Sequence, residues 1–284
     1  MKTKHFLIAI LCLFVLNVTA STHLITSADF MSLVKAKKEL VIIDVSKEDT
    51  YRTVHIKNAI NIPHTKLYAK GEIEGVLKSD VELAALFGKH GVSNASSIII
   101  YDEGSQKYSS RVYWILEYLG ASDVKILHKN MDQWKKERVP LTRLPGKLPA
   151  TTFNAKPNPA ISVDMAYVKS KLNNPSTILI DARTAEEFNG TSETPESPGH
   201  IPGAINLNYE DVLNAKKAFK SKEEIAAIAN KLGITSDKEL VLYCRTSVRG
   251  AVLFAAFYDI LGYKNVKVYD GALAEWQLSN SVVK

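Results

Sequence analysis

The chain repeats itself. LVIIDVSKEDTY (40–51) is echoed by TILIDARTAEEF (177–188), and HIKNAINIP (55–63) by HIPGAINLN (200–208). LAALFGKHGVSNASSIIIYDEGS (83–105) is echoed by IAAIANKLGITSDKELVLYCRTS (225–247), and YLGASDVKILHKNMDQW (118–134) by ILGYKNVKVYDGALAEW (260–276). From Gly91/Gly233 through Gly120/Gly262 to Trp134/Trp276 the offset is a constant 142 residues. Blocks that keep both order and spacing indicate a duplicated unit, so whatever folds once folds twice. The second copy carries a longer loop, Asn189 to Pro198. TRLPGKLPATTFNAKPNPA (142–160) holds four prolines and reads as an extended linker between a first domain, 21–141, and a second, 161–284.

Each copy shows one pattern. LVIID and TILID are short β-branched runs ending in Asp, as buried parallel strands do. Lys222 to Leu232 is amphipathic, with Ile225, Ile228, Ala229 and Leu232 on one face. Glu239 to Tyr243 reads as a buried strand, Val248 to Leu261 as a long apolar helix stopped by Gly262, and Val266 to Tyr269 as a further strand. Strands alternating with helices predict an α/β fold, in which each domain is a parallel sheet flanked by helices on both faces. In such sheets the ligand site lies beyond the carboxyl ends of the strands.

Residues 1–20, MKTKHFLIAILCLFVLNVTA, have a basic start, an apolar run from Phe6 to Leu16, and Val18-Thr19-Ala20 where a signal peptidase reads. They predict a secretory signal peptide; the apolar run is short for a membrane span, and no later segment replaces it. The expected location is therefore a periplasm or extracellular space, with no stable membrane insertion once the leader is removed. Removal also takes Cys12, leaving Cys244 as the one thiol. A single cysteine in an exported chain is either buried and inert or reactive. The formal charge of +6 includes Lys2 and Lys4 of the leader and contains no run of five like charges, which argues against nucleic acid and suits small anionic substrates.

Cys244 stands where the strand LVLY ends and the next helix has not begun. The loop is Cys244-Arg245-Thr246-Ser247-Val248-Arg249. A turn there aims backbone N–H groups towards its first residue, the helix start behind adds partial positive charge, and Arg245 and Arg249 add full charges. Each favours a thiolate, or a persulfide anion, over a thiol. A core cysteine is not normally followed by a polar loop with two cations. His residues are scattered, and no second cysteine or glycine-rich phosphate loop accompanies them, so neither a metal nor a cofactor is expected.

DAR (181–183), GHIPGAIN (199–206), CRTSVR (244–249) and YDGALAEW (269–276) together resemble the tandem-domain rhodaneses, the thiosulfate and 3-mercaptopyruvate sulfurtransferases. The resemblance covers essentially all of the chain beyond the leader. It implies that Cys244 is the nucleophile, that Arg183 binds the substrate anion at the mouth of the site, and that Arg245 is the loop cation typical of thiosulfate-using members. Thr246, Ser247, Val248 and Arg249 complete the expected substrate loop. Thr246 stands where thiosulfate enzymes carry a second cation, and Arg249 where well-studied members carry Thr. In the first copy Asp102 replaces Cys244 and Ser46 replaces Arg183, so that copy is expected to be inactive and structural.

The implied reaction is a double displacement in which sulfur passes from thiosulfate to Cys244 and on to cyanide or a thiol. The expected partners are an anionic donor and a thiophilic acceptor, handled by a monomer. Mercaptopyruvate is the alternative donor, although its users tend to carry small neutral residues where Arg245 stands. A cysteine phosphatase needs arginine six positions after the cysteine; Gly250 is there, and Arg249 comes one residue early. A non-catalytic sulfur carrier or redox partner is the remaining alternative. His55/His200, Asp44/Asp181 and Trp134/Trp276 recur in both copies, which marks them as structural: hydrogen bonds, loop anchors and core.

Overall fold

A computed structural model describes residues 23–193 and 198–284. The predicted leader, 1–20, lies outside the described residues. In the first domain the strands are β1 (Leu24–Ile25), β2 (Val41–Asp44), β3 (His55–Ile56), β4 (Ile60–Asn61), β5 (Ser97–Tyr101), β6 (Asp123–Leu127) and β7 (Leu141–Thr142). The second contains β8 (Ser162–Val163), β9 (Thr177–Asp181), β10 (Ile205–Asn206), β11 (Glu239–Tyr243) and β12 (Val266–Tyr269). Each domain holds a five-stranded, wholly parallel sheet. The orders, β1-β6-β5-β2-β4 and β8-β12-β11-β9-β10, match strand for strand. The duplication read in the sequence is thus a duplication of topology.

Central strands β2, β5, β9 and β11 are buried along most of their length, which is why they read as unbroken apolar runs. Their helical cover follows the 3.6-residue period. The helix Lys222–Lys231 opens on a Ser221/Glu224 capping box and buries Ile225 and Ala229. Leu232, expected on that face, caps the helix and is 38% exposed.

Two helices carry the contact between domains: α1 (Lys107–Tyr118), which follows β5, and α2 (Val248–Phe254), which follows β11. Both are almost wholly buried, and they pack against one another within a single apolar core that runs through both domains. This helical face is apolar because it never meets water. An ion pair and a hydrogen bond close the interface: Arg111, fully buried on α1, pairs with Asp270, and the His23 amide donates to the Asp259 carboxylate at 2.9 and 3.0 Å.

The stretch 142–160 is extended, as its prolines predict, yet it is tied down. Thr142 pairs with His55 in the two-stranded β3–β7 sheet. Thr151 N donates to Gly88 O, Lys156 N to Leu119 O and Asn158 N to Tyr118 O, while Phe153 is buried against Phe87. Among the described residues no helix is long and apolar enough to cross a membrane.

The recurring residues serve the fold in both copies. His55 stacks on Tyr51 and bonds its carbonyl at 2.7 Å; His200 stacks on Phe188 and bonds its carbonyl at 2.9 Å. Asp44 and Asp181 each accept the amide two residues on, at 2.9 and 3.0 Å. Trp134 and Trp276 are core residues.

Candidate functional site

Cys244 ends β11 and is buried. Its loop is held from behind by the motif YDGALAEW. Leu273 N donates to Cys244 O at 3.1 Å and Ala274 N to Arg245 O at 3.0 Å; the Ser247 hydroxyl bonds the Tyr269 carbonyl. That motif therefore serves the loop through the main chain, although it lies some 25 residues away in sequence.

The first domain shows what such a loop does to a charge. Asp102 occupies the position of Cys244, and its carboxylate is ringed by donors. Gly104 N (2.8 Å) and Gln106 N (3.3 Å) meet Oδ1. Tyr108 N and Ser109 N (both 3.1 Å) and the hydroxyls of Ser109 (3.2 Å) and Ser105 (3.3 Å) meet Oδ2. A buried anion that accepts from six donors of one loop is stabilised by the loop itself. The Asp102 carboxylate is structural, because it fills an anion cradle. Glu103 beside it is raised above the usual carboxylate range by burial and by Asp102.

The two loops differ by one residue. In the first domain the left-handed residue that starts the helix is Gln106, four after Asp102; in the second it is Ser247, three after Cys244. The missing residue reappears in the helix. α2 passes at Ala255 into a π-helical turn, Ala255–Ile260, which accommodates one more residue than α-helical winding before Gly262. The expected uniform helix from Val248 to Leu261 is thus α-helical and then π-helical, and the insertion keeps the 142-residue register beyond a shortened Cys244 loop.

The charged residues expected at the site divide into distinct positions. Arg249 lies close enough to Cys244 for the two to interact electrostatically, and Glu187 grips it in a fork, with Nη1–Oε2 at 2.5 Å and Nη2–Oε1 at 2.8 Å. Burial works against the Arg249 charge, but Glu187 and Cys244 outweigh it and raise the guanidinium above its ordinary value. Burial likewise opposes the Glu187 charge, yet Arg249, the Thr184 amide and Arg183 hold that carboxyl below the usual range. The sequence does not single out Glu187. Its visible signal is the Thr184/Glu187 capping box, which says nothing of a partner 62 residues away.

Arg183 is not at a mouth. It is fully buried, bonded to Asp181 through Nε (3.0 Å to each oxygen) and Nη2 (2.6 Å), and to Gly199 O at 2.6 Å. Asp181 pairs with its charge, its position ties the strand end to the 199–206 loop, and its buried Nη1 bonds no protein atom among the described residues. In the first domain Ser46 leaves Asp44 without such a cation, and burial raises that carboxyl. Ser247 is buried, and its hydroxyl donates to the Tyr269 carbonyl. Arg245, Thr246 and Val248 are half-buried. Arg245 pairs with Glu74 of the first domain, and Thr246 lies under Gly75. Among the described residues no group of His, Cys, Asp and Glu could hold a metal ion.

A family model described as Rhodanese-like domain matches residues 26–137 and again 164–279. The thiosulfate sulfurtransferase of Pseudomonas aeruginosa is 28% identical over 84% of this chain and 88% of its own. The sulfur carrier protein TtuD of Thermus thermophilus is 30% identical over 80% and 83%. The crystal structure of the 3-mercaptopyruvate sulfotransferase SseA of Escherichia coli superposes with a TM-score of 0.79 at 28% identity, covering 89% of this chain and 99% of that one. The chain belongs to the Rhodanese-like domain family, of which it carries two copies, and it stands among that family's sulfurtransferases.

Proposed function

We propose that the chain transfers sulfane sulfur from thiosulfate to a thiophilic acceptor through a persulfide on Cys244. The Cys244 thiolate attacks the outer sulfur of thiosulfate. A new S–S bond forms, the donor's S–S bond breaks, and its electron pair leaves on sulfite. The bound persulfide is then attacked at its terminal sulfur by cyanide or a thiol, which carries that sulfur away and returns the thiolate. Arg245 is assigned to the donor's charge and Arg249 to the charge on sulfur.

One observation carries this reading: the loop of the twin domain closes six hydrogen bonds around an anion at the position of Cys244. A cradle of that kind favours anionic sulfur and asks for no metal or cofactor. The small donor, the monomeric state and export through the leader belong to the same proposal. Mercaptopyruvate is the second donor to weigh, because SseA, named for that chemistry, shares the fold over nearly its whole length. Arg245 favours the doubly charged thiosulfate over it.

The test is whole-protein mass after exposure to thiosulfate, with rates for both donors. A gain of one sulfur, absent in Cys244→Ala, and faster turnover with thiosulfate are expected. No gain, or transfer by Cys244→Ala, sinks the reading; transfer only in the presence of a protein partner indicates a carrier.

A further inference from the structure

The two domains each raise a short hairpin towards the other. In the second, Leu213 bridges Phe219, and Lys216 O accepts from His128 Nε2 of the first domain at 2.9 Å. In the first, Tyr68 bridges Leu77. Offsets between matching bridge residues fall from 145 at Tyr68/Leu213 to 142 at Leu77/Phe219, so the first hairpin is three residues longer. The longer tip carries Glu74 and Gly75.

This tip is fixed from several directions. Leu77 N donates to Asp270 Oδ2 at 3.0 Å, and Gly75 O accepts from the buried Arg111 at 3.2 Å. Gly75, at φ +84, lies so close to the catalytic loop that a Cβ on it would stand 2.6 Å from Cβ of Thr246. Only a residue without Cβ allows that approach at that φ. The neighbouring Glu74 carboxylate is thereby delivered to Arg245, with which it forms an ion pair. Glu74 is 66% exposed and Arg245 24%, so the pair sits where solvent reaches it and not in the core.

The geometry points to Glu74 as an internal counterion that the anionic sulfur donor displaces from Arg245, so that the non-catalytic domain sets the donor affinity of the catalytic one. This rests on the reading of Arg245 as the donor's cation. Binding then becomes an exchange of one anion for another. A dianion replaces a carboxylate more readily than a monoanion does, so Glu74 discriminates by charge as well as lowering affinity. The same pair re-forms when sulfite leaves, which favours product release. Exposed ion pairs are weak, so the effect is a modest one on affinity, about two- to fivefold.

The experiment is a double-mutant cycle in steady-state sulfur transfer from thiosulfate to cyanide, with the inhibition constant of sulfite measured alongside. Glu74→Gln is expected to lower KM for thiosulfate and the sulfite constant by about two- to fivefold, with the gain fading at high salt. Glu74→Asp, which keeps the charge, should lie between. In an Arg245→Ala background, where KM is already raised, Glu74→Gln should change nothing. A KM that is unchanged or raised in Glu74→Gln, or an effect that persists without Arg245, overturns the proposal. If the wild-type protein gains no sulfur from thiosulfate, or Arg245→Ala leaves KM as it was, the underlying reading fails and takes this one with it.

Discussion

Replacing Asp102 by Asn changes neither shape nor volume, only the acceptor capacity of one buried group. At present Oδ1 accepts two backbone N–H groups, and Oδ2 accepts two more together with two hydroxyls. The Asn NH2 group must take one of these positions, and either choice sets it against two backbone amides. Those amides lose their acceptor in a place water does not reach. At about 1–3 kcal/mol for each buried unsatisfied group, the substitution costs about 2–6 kcal/mol. Hydroxyls can rotate away, so Ser109→Ala, which removes one of them, should cost no more than about 1 kcal/mol. The assay is urea unfolding at neutral pH, read from the midpoint with the slope checked for constancy. A loss below about 1 kcal/mol for Asp102→Asn would falsify the cradle as a device for holding negative charge. A stabilised sulfur anion at Cys244 would then lose its support from the twin loop.

Three further outcomes follow from the described contacts. The Glu187–Arg249 fork is about one-fifth exposed on each side, so Glu187→Gln should cost about 1–3 kcal/mol, between surface and fully buried pairs. The Glu187 carboxyl is held below its ordinary value, so its contribution is present above the ordinary carboxyl pKa of about 4.3 and fades as pH falls further; unfolding midpoints at pH 7 and about pH 3.5 should show the deficit shrinking, and a constant deficit would refute the pairing. Asp270→Asn strands the buried Arg111 charge between the domains and should cost about 2–4 kcal/mol in denaturant unfolding, with a loss under about 0.5 kcal/mol counting against the clasp. His64, stacked on Tyr108, is held neutral chiefly by burial and titrates at about 4. The unfolded chain takes up that proton first, so stability should decline as pH falls from about 6.5 towards about 4; an imidazole NMR titration near 6.5 would contradict this.

Residue patterns are sufficient for everything that is local or repeated. Two copies, parallel strands, the helix stop at Gly262 and the place of Cys244 at a strand end are legible because periodicity and capping act over a few residues, and because a duplication prints the same signal twice. The shared roles of His55 and His200, or Asp44 and Asp181, follow from the same logic: a side chain kept in both copies, when the cysteine is kept in one, serves the fold.

Pairing across the chain is not legible. Arg183, Arg245 and Arg249 look alike as cations near one cysteine, and nothing local says that Asp181, Glu74 and Glu187 respectively hold them. Two of those partners lie 62 and 171 residues away, and which carboxylate arrives is decided by sheet order and domain packing. The one-residue shortening of the catalytic loop is likewise hidden in sequence, since the π-helical turn at Ala255 restores the register that an offset measures. Order and periodicity along the chain are enough to specify a duplicated α/β fold that presents one thiol at a loop built for anions. Packing selects which cation lies beside Cys244, which is locked in the core, and which is paired, within reach of solvent, with a carboxylate from the other domain. Charge in a folded chain acts through distance in space, and only the packed fold sets that distance.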